Sequence, residues 1–200
     1  MDEDAPLSQP FASNAALLSD ADIITATRRW IERAVIGLNL CPFARAPFAQ
    51  QRVRLQVSHA RDADTLVADL RNEAARLVAT DPALIETTLL MHPFVFGDFA
   101  DYNDFLEVAD ALLDEMQLDD VLQIASFHPD YRFADAAAGA VENCTNRSPW
   151  PTLHLLRESS ITAAVETGID TDAIWRRNVE VLRSLGHGGW RALWRDDEPA

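Results

Sequence analysis

The sequence predicts an α/β (or α+β) fold in a single domain, with a small, mainly parallel sheet of three to four strands flanked by helices. Stretches with the period of a β-strand alternate along the chain with stretches that have the period of an amphipathic helix. A length of 200 residues and a hydrophobic content of 48% suit one domain with a full-sized core. We expect a flexible N-terminal tail over residues 1–18 and a globular domain over residues 19–195.

The first helix is predicted over residues 21–40. Ser19 can cap its start, because Asp22 follows three positions later in the pattern of a capping box. Pro42 ends the helix, since the residue before a proline is pushed out of the helical region. That residue is Cys41, and the negative end of a helix dipole raises the pKa of a thiol. Its position alone therefore does not activate Cys41.

Three strands follow, and a helix separates each strand from the next. The first strand alternates apolar and polar residues, and the other two are short apolar runs. Asp62 or Asp64 caps the helix after the first strand, and Asp101 opens the helix after the second. The strands are predicted near residues 52–58, 87–91 and 121–127, and the helices between them over residues 65–79 and 102–117.

An apolar segment at residues 152–158 has two interpretations. In the first, it joins the mainly parallel sheet, because strands that alternate with helices imply parallel neighbours. In the second, the fold is an α+β sandwich in which this strand runs antiparallel to the others. A short helix beginning at Ser159 or Ser160 and a last helix capped by Thr171 complete the chain.

The composition limits the possible partners. A formal net charge of -15 repels nucleic-acid phosphates and anionic lipid heads, so we expect neither nucleic acid nor membrane as a partner. All seventeen basic residues are arginine, which excludes a Schiff-base lysine and the lysine of a phosphate-binding P-loop. The acidic start lacks the apolar core of a secretory signal, so a cytoplasmic location is expected. In that compartment Cys41 and Cys144 are expected to be reduced thiols.

Three of the predicted strands are followed by a histidine: His59, His92 and His128. If the strands are parallel, the three imidazoles lie at the carboxyl edge of the sheet, where open α/β sheets bind ligands. Three histidines and a water molecule can hold a catalytic zinc ion. The short ligand spacings of structural zinc sites are missing from the sequence, so we expect no metal and no other cofactor. The alternative is that these histidines simply mark strand exits.

The loop before residue 152 contains the best candidate for an anion site. Asn146, Arg147 and Ser148 place a guanidinium beside an amide and a hydroxyl, a combination that can hold a carboxylate or a phosphate. The alternative is a loop tied down by its own side chains, with Arg147 paired to Glu142 or Asp130.

A thiol site is also compatible with the residue types. Either Cys41 or Cys144 would be the nucleophile, with His128 as the base and Asn143 or Asn146 orienting it. The alternative is a buried, inert cysteine, which is the more common fate of a free thiol.

Three long blocks of the sequence carry a resemblance to a known family. They span residues 30–44, 127–131 and 145–158 and include Asn-Leu-Cys-Pro-Phe-Ala and Thr-Asn-Arg-Ser-Pro. Together they resemble the bacterial domain-of-unknown-function family 1415, over roughly residues 22–185. The family has no established activity, so the resemblance implies no function. It emphasises Cys41, His128, Asn146, Arg147, Ser148, His154 and Arg157. The family has an aromatic residue at the position of Cys144, which leaves Cys41 as the thiol of interest.

Two hypotheses follow, and the sequence leaves open whether the protein is an enzyme and what its oligomeric state is. In the first, it is a cytoplasmic enzyme that acts on a small anionic metabolite, with His128 as acid or base and Cys41 as nucleophile or polar wall. The substrate-binding residues would be Asn146, Arg147, Ser148, Arg157, His92 and Tyr131. In the second, it is a non-catalytic module that binds a ligand or a protein. The enzyme hypothesis requires His128, Cys41 and Arg147 around one cavity.

Overall fold

The computed structural model describes residues 18–166 and 171–194, so residues 1–17 of the predicted tail lie outside the described residues. Helix α1 (Asp20–Trp30) continues into a π-helical turn (Ile31–Ile36) and is followed by the short helix α2 (Arg45–Ala49). The later elements are β1 (Val53–Val57), α3 (Ala63–Ala79), β2 (Thr87–Met91), α4 (Phe99–Glu115), β3 (Leu122–Phe127), a 3₁₀ turn (Val141–Asn146), β4 (Thr152–Arg157), α5 (Glu158–Glu166) and α6 (Thr171–Ala192).

Side-chain caps determine where the longer helices begin. Ser19 and Asp22 form the predicted capping box at the start of α1. Asp62, one of the two predicted candidates, caps α3. At α4 the cap is Asp98 and not Asp101, so the helix begins at Phe99, earlier than predicted. The side chain of Asp98 accepts hydrogen bonds from two backbone N–H groups that the first turn would otherwise leave unpaired.

The first helical segment ends at Ile36 and not near residue 40, which corrects the prediction. Asn39 has a φ of 54°, in the left-handed region, where a right-handed helix cannot continue. Leu40 then donates its N–H to the carbonyl of Val35 at 2.8 Å. Cys41 therefore follows a turn instead of standing at the last residue of a helix.

The sheet has four strands in the order β1-β2-β4-β3. Strand β1 pairs with β2 in parallel, and β4 pairs antiparallel with both β2 and β3. The fold class is confirmed, but a mainly parallel sheet is only partly right, because one pairing is parallel and two are antiparallel. Strands β2 and β3 are therefore not adjacent. The antiparallel interpretation of residues 152–158 is the correct one.

Strand β4 takes this central position because it can be buried on both faces. Leu153 and Leu155 belong to the apolar core on one face, and Leu156 and His154 line a cavity on the other. A strand with apolar residues on both faces is stable only where helices cover both sides of the sheet.

Helices on both faces give the molecule three layers. One face packs against α3 and α4, and we call it the α3 face. The other packs against α1, the π-helical turn and α6, and we call it the α1 face. Buried core residues on the α3 face include Leu66, Leu70, Tyr102, Phe105 and Leu153, and those on the α1 face include Ile23, Trp30, Leu89, Trp150 and Trp190. Within the described ranges, no helix has the length and apolar character needed to cross a membrane.

Candidate ligand-binding cavity

A cavity of about 290 Å³ lies between the α1 face of the sheet and the helical segment above it. All four strands contribute to its floor, and α1, the π-helical turn and α2 form the opposite wall. Ligand sites are concave and mainly apolar, and a cavity of about 150 Å³ already holds benzene. This cavity is therefore large enough for a one-ring molecule with a short side chain. Its apolar walls include Trp30, Phe48, Val53, Leu89, Phe127 and Leu156.

The π-helical turn shapes the upper wall. Ile31 and Val35, both within this turn, line the cavity. A π-helical turn widens the helix locally, and such turns are frequent at functional sites. Gly37 follows the turn, and a Cβ atom at that position would overlap the carbonyl oxygen of Arg33. A side chain there would therefore force the end of this turn to shift.

The thiol of Cys41 is half-buried in the cavity wall. Burial raises its pKa, and hydrogen bonds from the backbone N–H groups of Phe43 and Ala44 only partly oppose that effect. From the sequence, the end of a helix was expected to keep this thiol unactivated. In the structure Cys41 follows a turn, and burial is what raises the pKa of its thiol. Cys144 is fully buried elsewhere, and burial raises its pKa to about 12. Both thiols are therefore protonated near neutral pH.

His154 and Thr87 form a hydrogen-bonded pair on the cavity floor. The Thr87 hydroxyl oxygen lies 2.5 Å from the carbonyl oxygen of Leu155, so the hydroxyl donates its one proton there. It also lies 2.7 Å from Nε2 of His154, and in that contact it can only accept. The proton of the imidazole is therefore assigned to Nε2. Burial lowers the pKa of His154 to about 4, so the ring is neutral.

Glu86 also lines the cavity, and an arginine that does not line it balances the charge of the Glu86 carboxylate. One carboxylate oxygen accepts a 2.7 Å bond from Nη1 of Arg52, and the other accepts a 2.5 Å bond from the Ser160 hydroxyl. Arg52 is not among the lining residues, whereas Glu86 and Ser160 are. The cavity wall therefore contains the carboxylate of Glu86, whereas Arg52, the cation paired with it, does not line the cavity.

Arg157 is the last residue of β4 and lines the cavity. Its Nη2 donates to the carbonyl oxygens of Leu77, Thr80 and Ile85 at 2.6, 2.7 and 3.0 Å. Leu77 belongs to the core on the α3 face, and side chains alternate along a strand. The Nη2 end of the guanidinium therefore lies on the α3 face and ties the C-terminal end of α3 to the sheet, whereas the buried Nε has no hydrogen-bond partner among the described residues.

His128 and His92 are fully buried at the edge of the sheet where β1, β2 and β3 end. Nε2 of His128 lies 3.1 Å from the carbonyl oxygen of Phe96, and Nδ1 accepts a 3.0 Å bond from the N–H of Asp130. Burial lowers the pKa of His128, and it lowers the pKa of His92 to about 3. The His128 ring is tilted against the ring of Tyr102 at a centroid distance of 5.1 Å, and the His92 ring stacks on it at 5.7 Å. His128 therefore has both ring nitrogens occupied by the backbone.

The loop that contains Arg147 is held by its own hydrogen bonds. Arg147 is 6% exposed, and its guanidinium donates to the carbonyls of Tyr131 and Ala138 at 3.3 and 3.1 Å. Asn146 donates to the carbonyl of Ser126 at 3.1 Å, and the Ser148 hydroxyl donates to that of Trp150 at 2.6 Å. The predicted partners Glu142 and Asp130 do not pair with Arg147; Glu142 pairs with Arg183 at 2.8 Å. Arg147 thus has the bonds of a loop tie, with carbonyls and not carboxylates as its acceptors.

The structure does not bring His128, Cys41 and Arg147 to one cavity. Cys41 lines the cavity described above, and neither His128 nor Arg147 belongs to its walls. His59 is separate again, exposed and paired with Asp20 at 2.9 Å. In residues 18–166 and 171–194, no group of three or more His, Cys, Asp or Glu side chains is placed to hold a metal ion.

A second, more open space of about 830 Å³ runs along β1 and α3. Its polar side chains already satisfy one another: Arg54 binds Glu73 at 2.6 Å, and the Ser58 hydroxyl donates to Asp69 at 2.6 Å. Paired charges on an open surface provide little driving force for a ligand. The apolar cavity is the better candidate site.

Sequence reasoning emphasised His154 only through the family resemblance and missed Thr87, Trp30 and Phe127 as site residues. The alternation of β4 places His154 and Leu156 on one face, which the sequence does show. Which face would border a cavity depends on how the helices pack. That information is not present in any local pattern.

Comparison with known proteins identifies the family and no relative of known activity. The chain belongs to the family described as "Protein of unknown function (DUF1415)", whose model matches residues 22–192. The resemblance predicted from the sequence blocks is thereby confirmed. No curated protein and no solved structure matches the chain.

Proposed function

We propose that this DUF1415 protein binds a small, mainly apolar molecule in the cavity beneath α1 and the π-helical turn. The observation that carries the proposal is the cavity itself: about 290 Å³ within the core of the α1 face, with four aromatic rings, from Trp30, Phe43, Phe48 and Phe127, in its walls. Burial of a ligand against these walls would be driven by the hydrophobic effect, at about 25 cal/mol per Å² of apolar surface.

Binding without catalysis is the function that the geometry supports best. The cavity contains Cys41 and His154, two residue types that nucleophilic catalysis uses. Burial raises the pKa of the Cys41 thiol, however, and a protonated thiol is a weak nucleophile. His128, the general base of the enzyme hypothesis, has both ring nitrogens occupied. The proposal therefore follows the second hypothesis, a ligand-binding module.

A cavity-filling substitution tests the proposal. Ala125 lines the floor beside His154, its register partner in β4. Ala125→Leu adds three carbons to that space and should abolish binding of 4-ethylphenol or indole, measured by NMR titration. The matched control is Ala111→Leu, which adds the same carbons to an exposed position of α4. Retained binding in Ala125→Leu, or no binding of either probe to the wild-type protein, would refute the cavity as the site.

A further inference from the structure

The hydrogen-bond pattern around His154 leaves its Nδ1 without a donor. Because the Thr87 hydroxyl donates to Leu155, the proton of His154 is on Nε2 and the lone pair is on Nδ1. Within the described part of the chain, Nδ1 has no hydrogen-bond partner. An acceptor that faces an apolar space without a donor is unfavourable, and a ligand O–H would supply the missing donor.

The polar groups around the cavity favour an uncharged donor over an anion. Arg157 lines the cavity, but its Nη2 is directed to three backbone carbonyls beside the end of α3, and its buried Nε has no hydrogen-bond partner among the described residues. Glu86, the carboxylate in the wall, is paired with Arg52. A carboxylate on the ligand would lie near this second carboxylate, and it has no proton to donate to Nδ1 of His154.

We infer that the ligand is an uncharged hydroxyl compound, such as a phenol, whose apolar body fills the cavity and whose O–H donates to Nδ1 of His154. This inference rests on the proposed function. This assignment differs from the small anionic metabolite expected from the sequence, because the cavity supplies an acceptor where an anion needs donors. Thr87 acts as a positioning residue: it holds the imidazole in the tautomer that accepts at Nδ1.

Matched ligands test the inference on the wild-type protein. We compare 4-ethylphenol with 4-ethylanisole, which has the same ring but a methyl cap in place of the donated proton, and with 4-ethylbenzoate, the anion. The phenol should bind about three- to tenfold more tightly than the anisole, the range of one neutral hydrogen bond. The benzoate should bind most weakly. If both neutral compounds bind equally, the inference fails and the proposed function stands; if neither binds, the proposed function fails.

Two variants assign the preference to named atoms. His154→Phe keeps a ring of similar size without Nδ1, and it should reduce the ratio of the anisole and phenol dissociation constants to about one. Thr87→Val removes the hydroxyl that accepts from Nε2, so the imidazole is no longer held in one tautomer. This substitution should reduce the same ratio without weakening the binding of the anisole. Thr88→Val is the control, because Thr88 is the next residue of β2, belongs to the opposite face and has no hydrogen-bond partner for its hydroxyl. An unchanged ratio in His154→Phe would overturn the assignment.

The ¹⁵N chemical shifts of the His154 imidazole report which ring nitrogen is protonated. They test the inference on the wild-type protein, even if a variant does not fold. In the wild-type protein the shifts should show protonation at Nε2, and Nδ1 should move towards the shift of a hydrogen-bonded acceptor when 4-ethylphenol is added. Protonation at Nδ1 in the free protein would overturn the inference without any substitution.

Discussion

Nη2 of Arg157 donates a 2.6 Å hydrogen bond to the carbonyl oxygen of Leu77 and so joins the end of β4 to the C-terminal turn of α3. The same nitrogen also reaches the carbonyls of Thr80 and Ile85. A cation at this position supplies donors to carbonyls at and beyond the end of α3 and interacts favourably with the negative end of the helix dipole.

Arg157→Lys should therefore destabilise the fold. A lysine keeps the charge but not the planar guanidinium, and the carbonyls would remain partly unpaired. We expect a loss of about 2 kcal/mol or more in the free energy of unfolding, measured by urea denaturation. Arg71→Lys is the control, since Arg71 pairs with Glu115 on the surface and its substitution should change stability by less than about 0.5 kcal/mol. Equal effects of the two substitutions would contradict the structural role of Arg157.

Arg147→Lys distinguishes the two roles considered for this side chain. In a loop tie, the bonds to the carbonyls of Tyr131 and Ala138 are lost, and the melting temperature without ligand should fall. We expect a cost of about 1–2 kcal/mol and no change in the affinity of the cavity for 4-ethylphenol. A variant that melts like the wild type but binds phosphate-like or carboxylate compounds at least about tenfold more weakly would instead support the predicted anion clamp.

His92 should make the fold sensitive to acid. Burial lowers its pKa from 6.5 to about 3 in the folded protein, so the unfolded chain binds this proton first as the pH falls. The stability contributed by the neutral ring is complete above about pH 6.5 and is lost as the pH falls towards about 3. Between these limits one such histidine contributes a slope of about 1.4 kcal/mol per pH unit.

His92→Gln measures that contribution. Urea denaturation at pH 7, 6 and 5 should show a shallower decline in the variant, by up to about 1.4 kcal/mol per pH unit at the lower end. Parallel slopes for the two proteins would mean that His92 binds its proton equally in the folded and unfolded states. The comparison cancels the titration of the many carboxylates, which both proteins share.

Cys41 should react slowly with iodoacetamide near neutral pH, because burial raises the pKa of its thiol and the thiolate is the reacting species. We expect a slower rate than that of N-acetylcysteine at pH 7.5, a rise with pH, and protection by 4-ethylphenol. Cys144 should stay unmodified in the folded protein because it is fully buried. Mass spectrometry of the wild type and Cys41→Ser identifies the site. A Cys41 that reacts faster than the free thiol would favour the enzyme hypothesis.

Much of the local structure was predictable from particular residues. Ser19 and Asp22 predicted the start of α1, and the three predicted strands appear at β1, β2 and β3. These predictions succeed because a cap or an alternating strand depends on residues within a few positions of one another. The start of α4 was misplaced because Asp98 and Asp101 are both plausible caps, and only the path of the preceding turn selects Asp98.

The candidate site was less predictable. Cys41 was singled out and lies in the cavity, but His128 and Arg147 have their polar atoms bound to backbone groups of nearby loops. A polar side chain in an irregular segment has the same sequence signature whether it binds a ligand or satisfies a buried carbonyl, because both roles need a donor in a loop. Their difference lies in which atoms are near, and that is a property of the folded chain.

By itself the sequence determined most of the strands and longer helices, the acidic charge and the family, since composition, period and motif blocks are properties of the linear chain. The tertiary structure alone decided that β4 enters between β2 and β3, because strand order depends on which faces the helices can cover. That insertion places His154 opposite Leu89 and within hydrogen-bond distance of Thr87, and the packing of the π-helical turn leaves a cavity above them. The site therefore results from contacts between segments far apart in the chain, which no local pattern encodes.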